Sequence, residues 1–482
     1  MSDIRRDLLN KFNSSIYRNF GAFLSEMSIE GFRGITETIK FEFPITAISG
    51  FNGAGKSSIG QIAVCAYRTP STDRIYKRKY IKDFFPQSAS LDPAPFAANA
   101  KVIYKYATNT PVLQNLTVSR QRVEWSGYKR QPERHCFYVG FAAYIPKIES
   151  RGNKMYNNAR MQLTERREIS PQIHNHVKQI LNSDYDQVWF QGMQADGKTN
   201  EIGMLSRYGY TYSENNMGFG EGRLLYMIDL LENEPNNSLF VLEEPETSLH
   251  GDAQYKFIKY LMDICNRKGH QVILSTHSST MLEALPPEGR KFLIRDRNGV
   301  KIIDRVSAYR AKSLLSNGHT HALEVLVEDR FAKALLIEVL RQKAPELIAS
   351  IGIYAVGDAN AVRQLTEYLI NVGHRAIAIR DADKGDQRQA KLYKLPGSLP
   401  PEKEVFLDPL VQDEISRAYH LDVKEIFSTA GDLDHHTYSE FLASKAHCPK
   451  EVLEHFAINQ YINVRGLSFF DDIISVINSE LE

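Results

Sequence analysis

The sequence predicts a mixed α/β protein built on parallel sheets: a large first domain with a long β-rich and helical insertion, then a smaller parallel-sheet domain, then C-terminal helices. Three observations predict it. The stretch Gly50-Phe51-Asn52-Gly53-Ala54-Gly55-Lys56-Ser57-Ser58 has the form G-x-x-x-x-G-K-[ST], after a strand-like run at 45–49 and before a helix-like run from Ile59. Two apolar runs, 239–242 and 271–275, end in Glu243-Glu244 and Thr276-His277-Ser278, as buried parallel strands do when they deliver polar groups to a site. Beyond residue 322, strand-like and helix-like runs alternate, with acids at the strand ends.

Composition sets the limits. A chain of 482 residues is long enough for two or three cores. No apolar run approaches the ~20 residues of a membrane span, and the charged start MSDIRRDLLNKF lacks the apolar centre of a signal peptide. The four cysteines, Cys65, Cys136, Cys265 and Cys448, form no C-x-x-C pair, so neither a disulfide framework nor a zinc site is expected and a reducing cytoplasm fits. A net charge of +1 announces no nucleic acid, although a local basic patch is compatible with it.

In order along the chain, residues 3–20 read as an amphipathic helix with Ile4, Leu8, Leu9 and Phe12 on one side. Alternating runs at 26–30 and 40–43 read as a hairpin around Gly31-Phe32-Arg33-Gly34. In the phosphate loop the glycines let successive backbone N–H groups turn inward around an anion. Lys56 brings an ammonium to the β and γ phosphates, Ser57 a hydroxyl for Mg²⁺, and the following helix its positive end. These residues predict a nucleoside-triphosphate site. Residues 70–98 are irregular, 100–107, 116–125 and 135–145 read as strands, and 158–182 as helical. The cluster Lys129-Arg130-Gln131-Pro132-Glu133-Arg134 is either a nucleic-acid contact or, more in keeping with isolated charge runs, a solvated loop.

Met217-Gly218-Phe219-Gly220-Glu221-Gly222-Arg223 precedes a helical run at 224–231. Of the two acids that follow the 239–242 run, one can hold Mg²⁺ and its neighbour can orient the attacking water. A helix at 254–265 leads to the next strand, and His277 after it can reach the γ-phosphate as a donor. Residues 292–306 read as a hairpin and 310–321 as a polar linker. Strands are then expected at 323–327, 351–356 and 376–379, with helices at 331–342 and 362–369 between them. This order brings Glu328, Asp381 and Asp383 to one sheet edge, a natural Mg²⁺ or Mn²⁺ cradle for in-line phosphodiester cleavage. Residues 400–482 read as helical, with Glu402 and Asp413 as acids of no assigned role.

Phosphate loop, glycine-glutamate turn, strand with two acids and strand with histidine, in that order, resemble the ABC-type ATPase head. The stretches IEGFRGI, ITAISGFNGAGKSS, LFVLEEPETSLH and VILSTHSS resemble in particular the OLD family of bacterial ATP-dependent endonucleases, over roughly residues 24–310. The resemblance implies ATP and Mg²⁺ as ligands. It gives Asn52, Gly53, Gly55, Lys56, Ser57 and Ser58 to the phosphates, with Ser57 and Glu243 on the metal, Glu244 on the water and His277 as the switch histidine. Gly218, Gly220 and Glu221 become a signature loop that contacts the nucleotide of a second subunit, which implies a homodimer or higher oligomer. Glu243 stands where aspartate is usual and Gly218 where serine is usual; Gln87 is a candidate Q-loop residue.

Residues 322–400 resemble a TOPRIM domain, with Glu328 ending one strand and Asp381-Ala382-Asp383 another. Here Asp329 replaces a usual glycine, and Ala332 a usual acid. The expected organisation is an N-terminal helix at 1–23, a head at 24–310 with an insertion at 70–212, the TOPRIM-like domain, and a helical region at 401–482. The resemblance implies a metal-dependent endonuclease acting on DNA in antiphage defence, alone or beside an operon-encoded nuclease, helicase or retron reverse transcriptase with its DNA. The alternative is a sensor or scaffold ATPase with a degenerate TOPRIM domain that holds a separate effector. A recombination-type repair ATPase fits less well, because no coiled-coil heptads interrupt the head.

Overall fold

The computed structural model describes residues 3–32, 34–70, 78–88, 90–92, 96–121, 124–140, 160–297, 299–316, 321–431 and 433–482. The chain divides into two units, Met1–Ala311 and Lys312–Glu482.

The first unit contains β1 (Leu24–Glu30), β2 (Thr38–Lys40), β3 (Ile45–Gly50), β4 (Lys101–Tyr106), β5 (Gln114–Gln121), β6 (Glu124–Ser126) and β7 (Cys136–Val139). After these come β8 (Gln162–Glu168), β9 (Gln187–Ala195), β10 (Lys198–Arg207), β11 (Tyr210–Ser213), β12 (Leu239–Glu243), β13 (Gln271–Ser275), β14 (Arg290–Asp296) and β15 (Gly299–Asp304). Its central sheet runs β15-β14-β3-β13-β12-β7, parallel except for β15. The strands are apolar because both faces are covered: every residue of β3 and of β13 is buried. Register aligns their ends, with Ser275 opposite Glu243 on one side and Ile48 on the other. The loops after β3, β12 and β13 therefore leave from one edge, where open α/β sheets bind ligands. The helix Lys56–Val64 packs on β12, and a Cβ built on Gly60 would lie 2.8 Å from a Val241 methyl.

Two antiparallel sheets, β2-β1-β4-β5-β6 and β11-β10-β9-β8, complete the unit. The first changes the reading of the insertion. Strands β4, β5 and β6 extend the hairpin sheet through β1, and β7 closes the edge of the central sheet beside β12. Much of the expected insertion is thus framework of the head itself. The strand expected at 135–145 is observed over Cys136–Val139, and its end at 141–145 lies outside the described residues, as do 158–159.

Other expectations need correction. The single helix at 3–20 is two, Ile4–Ser14 and Ile16–Phe20, because Ser15 adopts an extended conformation and its hydroxyl caps the second by accepting from the Arg18 N–H. Residues 162–168, expected to be helical, form β8; Arg166 and Arg167 lie over the rings of Trp189 and Phe190 at 4.1 and 4.3 Å, so the charged run is stabilised as a cover for β9. The helix that follows is shorter than expected, Pro171–Leu181, capped by Ser170. The linker at 310–321 begins inside a helix, Ala308–Leu315. The basic cluster is divided: Lys129 and Arg130 are exposed, whereas Gln131 and Arg134 are buried. Arg134 donates to the Asn237 carbonyl, the Gln271 amide oxygen and the Tyr67 hydroxyl at 2.5, 2.9 and 3.1 Å, tying together the entries to β7, β12 and β13.

The second unit contains a parallel sheet of order β17-β16-β18-β19, from β16 (Leu323–Val327), β17 (Ile351–Ala355), β18 (Ala376–Arg380) and β19 (Leu392–Lys394). Helices Arg330–Lys343 and Ala359–Asn371 follow β16 and β17, as the alternation predicts. The described residues after 400 are helical, but they share one core with the sheet: Val325, Leu336 and Ile379 belong to the same cluster as Phe406, Ile458 and Ile477.

Candidate functional site

The phosphate loop takes the shape its glycines permit. Gly50, Gly53 and Gly55 have φ of 143°, 77° and 106°, values that side chains with a Cβ avoid. Gly55 caps the helix Lys56–Val64, so helix begins three residues before the expected Ile59 and its free N–H groups face the loop. Lys56 is 8% exposed, and its ammonium donates to the carbonyls of Gly50 and Phe51 at 2.9 and 3.2 Å. Burial lowers its pKa, while Glu244 and Glu246 oppose the shift. Asn52, Gly53 and Ser57 are exposed, Gly55 and Ser58 half-buried.

Glu243 and Glu244 leave β12 on opposite errands. Glu243 Oε1 is buried with no hydrogen-bond partner. Its neighbour Tyr138, at the end of β7, receives a hydrogen bond from the Gln61 amide at 3.0 Å, and burial, with Glu243 adding to it, raises the phenol pKa. Glu244 turns the chain at φ 43°, its N–H donating to the Ser275 carbonyl at 3.1 Å. His277 Nε2 lies 3.3 Å from Glu244 Oε1, and burial followed by Lys56 lowers the imidazole pKa, which keeps the ring neutral at pH 7. Ser57, exposed, and Glu243, with its orphaned oxygen, fit a divalent cation.

Two further residues hold this arrangement and were not singled out from the sequence. Arg223 is 1% exposed and donates to the backbone carbonyls of Glu244 and Glu243 at 2.9 and 2.5 Å, clamping the end of β12. Glu246 accepts from the Thr276 hydroxyl at 2.5 Å and the His277 N–H at 2.7 Å, so it fixes the histidine turn. Burial, with Glu244 nearby, raises its carboxyl pKa to about 7. The Glu-Pro-Glu spacing was the available signal for Glu246; for Arg223 there was none beyond its place after the glycine turn.

The expected signature residues separate. Gly218 is exposed, the first cap of the helix Phe219–Asn233, and a Cβ there would have nothing within 4 Å. Gly220 is buried, its Cβ position 2.2 Å from the Ser248 carbonyl oxygen. Glu221 turns into its own unit, accepting from the hydroxyls of Tyr185 and Tyr212 at 2.5 and 3.3 Å. Gln87 accepts from Arg120 at 2.9 Å, on the β5 side of the unit.

In the second unit, Glu328 Oε1 accepts from the Asp381 N–H at 3.0 Å across the neighbouring ends of β16 and β18. Asp381 is 5% exposed, Oδ1 has no hydrogen-bond partner, and burial, with Glu328 and Asp329 next, raises its pKa to about 7. Asp383 is exposed and paired with Lys384 at 2.9 Å. Ala332 lies in the core, fully buried. Asp329 caps the helix Arg330–Lys343 by accepting from the Ala332 N–H at 2.8 Å. Glu402, left without a role above, is buried nearby: burial and then Asp329 raise its carboxyl pKa to about 9.

Residues 26–135 match the AAA domain family, and residues 137–282 match the AAA ATPase domain family. Together these stretches hold the phosphate loop, Glu243, Glu244 and His277. The chain carries AAA-type ATPase domains on a mixed α/β P-loop fold, and the match assigns it ATP binding and ATPase activity, with Mg²⁺ as the usual companion. Among the described residues no helix is long and apolar enough to cross a membrane.

No curated protein matches the chain. Among solved structures it is similar to the SMC head domain from Thermotoga maritima, at 18% identity over 58% of this chain and 98% of that one, with a TM-score of 0.35. It is also similar to an SmcHead bound to the C-winged helix domain of ScpA, at 13% identity over 58% and 97%, TM-score 0.37. A third is the Smc head domain with an extended coiled coil bound to the C-terminal domain of ScpA derived from Pyrococcus furiosus, at 12% identity over 61% and 98%, TM-score 0.38.

Proposed function

We propose that this ATPase is an OLD-type protein whose nucleotide state controls a metal-dependent TOPRIM endonuclease unit acting on DNA. One observation carries the reading: Glu328 and Asp381 meet at the carboxyl ends of adjacent parallel strands, with a buried carboxylate oxygen left unpaired. Leaving such an oxygen unpaired costs ~1–3 kcal/mol, a cost that a cation removes. Glu328 and Asp381 would hold Mg²⁺ or Mn²⁺, with Asp383 beside them, and the ion would supply charge stabilisation for phosphodiester cleavage. The defence setting and an operon-encoded partner rest on the motif resemblance alone.

In the head, Lys56 and the loop N–H groups bind the phosphates, and Ser57 and Glu243 would hold Mg²⁺. Glu244 accepts a hydrogen bond from the attacking water and His277, neutral and within 3.3 Å of Glu244, donates toward the γ-phosphate. The head pairs with a second copy through the exposed Gly218 and the helix N-terminus behind it. The Glu221 side chain, occupied by two tyrosines, serves that loop from within.

Supercoiled plasmid with Mg²⁺ or Mn²⁺ tests the reading. Nicking is expected from the wild type and from Glu244→Gln, and its loss in Asp381→Ala. Wild-type protein that never nicks would remove the endonuclease. A second reading, a sensor or scaffold ATPase holding a separate effector, has Ala332 on its side, since a buried alanine stands where the family places an acid. Absence of cutting by clean protein would favour it.

A further inference from the structure

Beside the β16 and β18 carboxylates, the second unit carries a donor set of different chemistry. Glu402, on the helix Pro401–Phe406, and His435 and His436, on the 3-10 turn His435–Thr437, bring one ligand atom each within 4.8 Å of one another. His436 Nδ1 lies 3.2 Å from Glu402 Oε1 and 3.5 Å from Asp329 Oδ2. The imidazoles stand side by side with centroids 4.0 Å apart. Local chemistry fixes these positions. Pro400 and Pro401 start the Glu402 helix, and Asp434 caps the histidine turn by accepting from the His436 N–H at 3.2 Å.

An independent observation points to a ligand. Glu402 is 4% exposed, and its Oε2 is buried without a hydrogen-bond partner. Glu402 Oε1 lies 3.2 Å from His436 Nδ1, an imidazole nitrogen that is itself a metal donor when neutral.

We propose that Glu402, His435 and His436 form a binding site for a divalent transition-metal ion, with Asp329 as the adjacent carboxylate that orients His436 or completes the shell. Two imidazoles and one carboxylate suit Zn²⁺, Co²⁺ or Mn²⁺, whereas Mg²⁺ prefers oxygen ligands alone. The site draws on segments far from β16 in sequence. It stands next to Asp329, at the start of the helix Arg330–Lys343. Ion binding at this site does not depend on the endonuclease reading.

Co²⁺ is the probe, because imidazole ligation gives it a visible d–d spectrum that oxygen-only sites show weakly. Metal-stripped full-length protein titrated with Co²⁺ should develop this spectrum. The affinity should fall more than ~100-fold in the His435→Ala/His436→Ala variant, beyond what loss of an outer-shell partner costs. Glu402→Gln, nearly isosteric, should lose the ion with an unchanged circular dichroism spectrum. The proposal is overturned if the wild type gives no such spectrum, or if the folded double-histidine variant binds Co²⁺ as tightly as the wild type. It is likewise overturned if Asp381→Asn, and not the histidine variant, abolishes the signal. Co²⁺ uptake through the histidines by a protein that never nicks plasmid would keep this site and remove the endonuclease.

Discussion

The Lys56 ammonium rests on the carbonyls of Gly50 and Phe51, bonds that a triphosphate replaces with stronger charge-assisted ones. Lys56→Ala should therefore leave no ATP binding by calorimetry. Glu244→Gln should still bind ATP but lose turnover by ~100-fold or more, read as phosphate release at saturating ATP. A second residue sets acid stability. His270 is fully buried, accepts from the Ser238 N–H at 3.2 Å and contacts the Leu231 carbonyl at 3.2 Å; burial lowers its pKa from 6.5 to about 3. Between those values the unfolded chain takes a proton that the folded chain refuses, so stability falls as pH drops through the range. The loss should reach about 2 kcal/mol at pH 5. Urea midpoints at pH 7 and 5 should diverge more for the wild type than for His270→Gln.

The helix Phe219–Asn233 shows how an element serves the site from two ends of its first turn. Arg223 clamps the β12 terminus, while Gly220 lets the helix touch the Ser248 carbonyl. Gly220→Ala puts a methyl where only 2.2 Å is available and should cost about 1–3 kcal/mol, visible as a lower Tm. Gly218 has an ordinary φ of −60° and open space, so Gly218→Ser should leave the unfolding free energy within ~0.5 kcal/mol of the wild type or slightly above it, serine being a good helix cap. If the turn reaches a partner's nucleotide, the added hydroxyl should also raise ATP turnover. The same element-level economy explains β8, where arginines cover aromatic rings and an apparently helical charged run becomes a strand.

At the scale of the whole molecule, two parallel sheets share one design: each brings acids to the carboxyl edge of its strands, and the first adds a phosphate loop there. The proposed coupling between them predicts assembly. Glu244→Gln with ATP and Mg²⁺ should double its mass or more in light scattering, and Lys56→Ala should stay at its nucleotide-free mass under the same conditions. Equal masses for both variants would separate nucleotide binding from subunit pairing.

Local sequence determined the parts whose physics is local. The phosphate loop could be read because glycine alone tolerates the φ values at Gly53 and Gly55, and β12, β13, β16 and β18 because strands buried on both faces must be continuously apolar. Only the tertiary structure decided what depends on distant segments meeting. Strands β4 and β7 became framework because β1 and β12 offered them edges, Arg134 became an internal clasp, and Glu221 turned to its own tyrosines. Glu402 joined Asp329 and His436 from distant positions in the chain, and no spacing rule along the chain encodes that encounter. Burial and charge at a site are properties of neighbours in space, and those neighbours are chosen by packing.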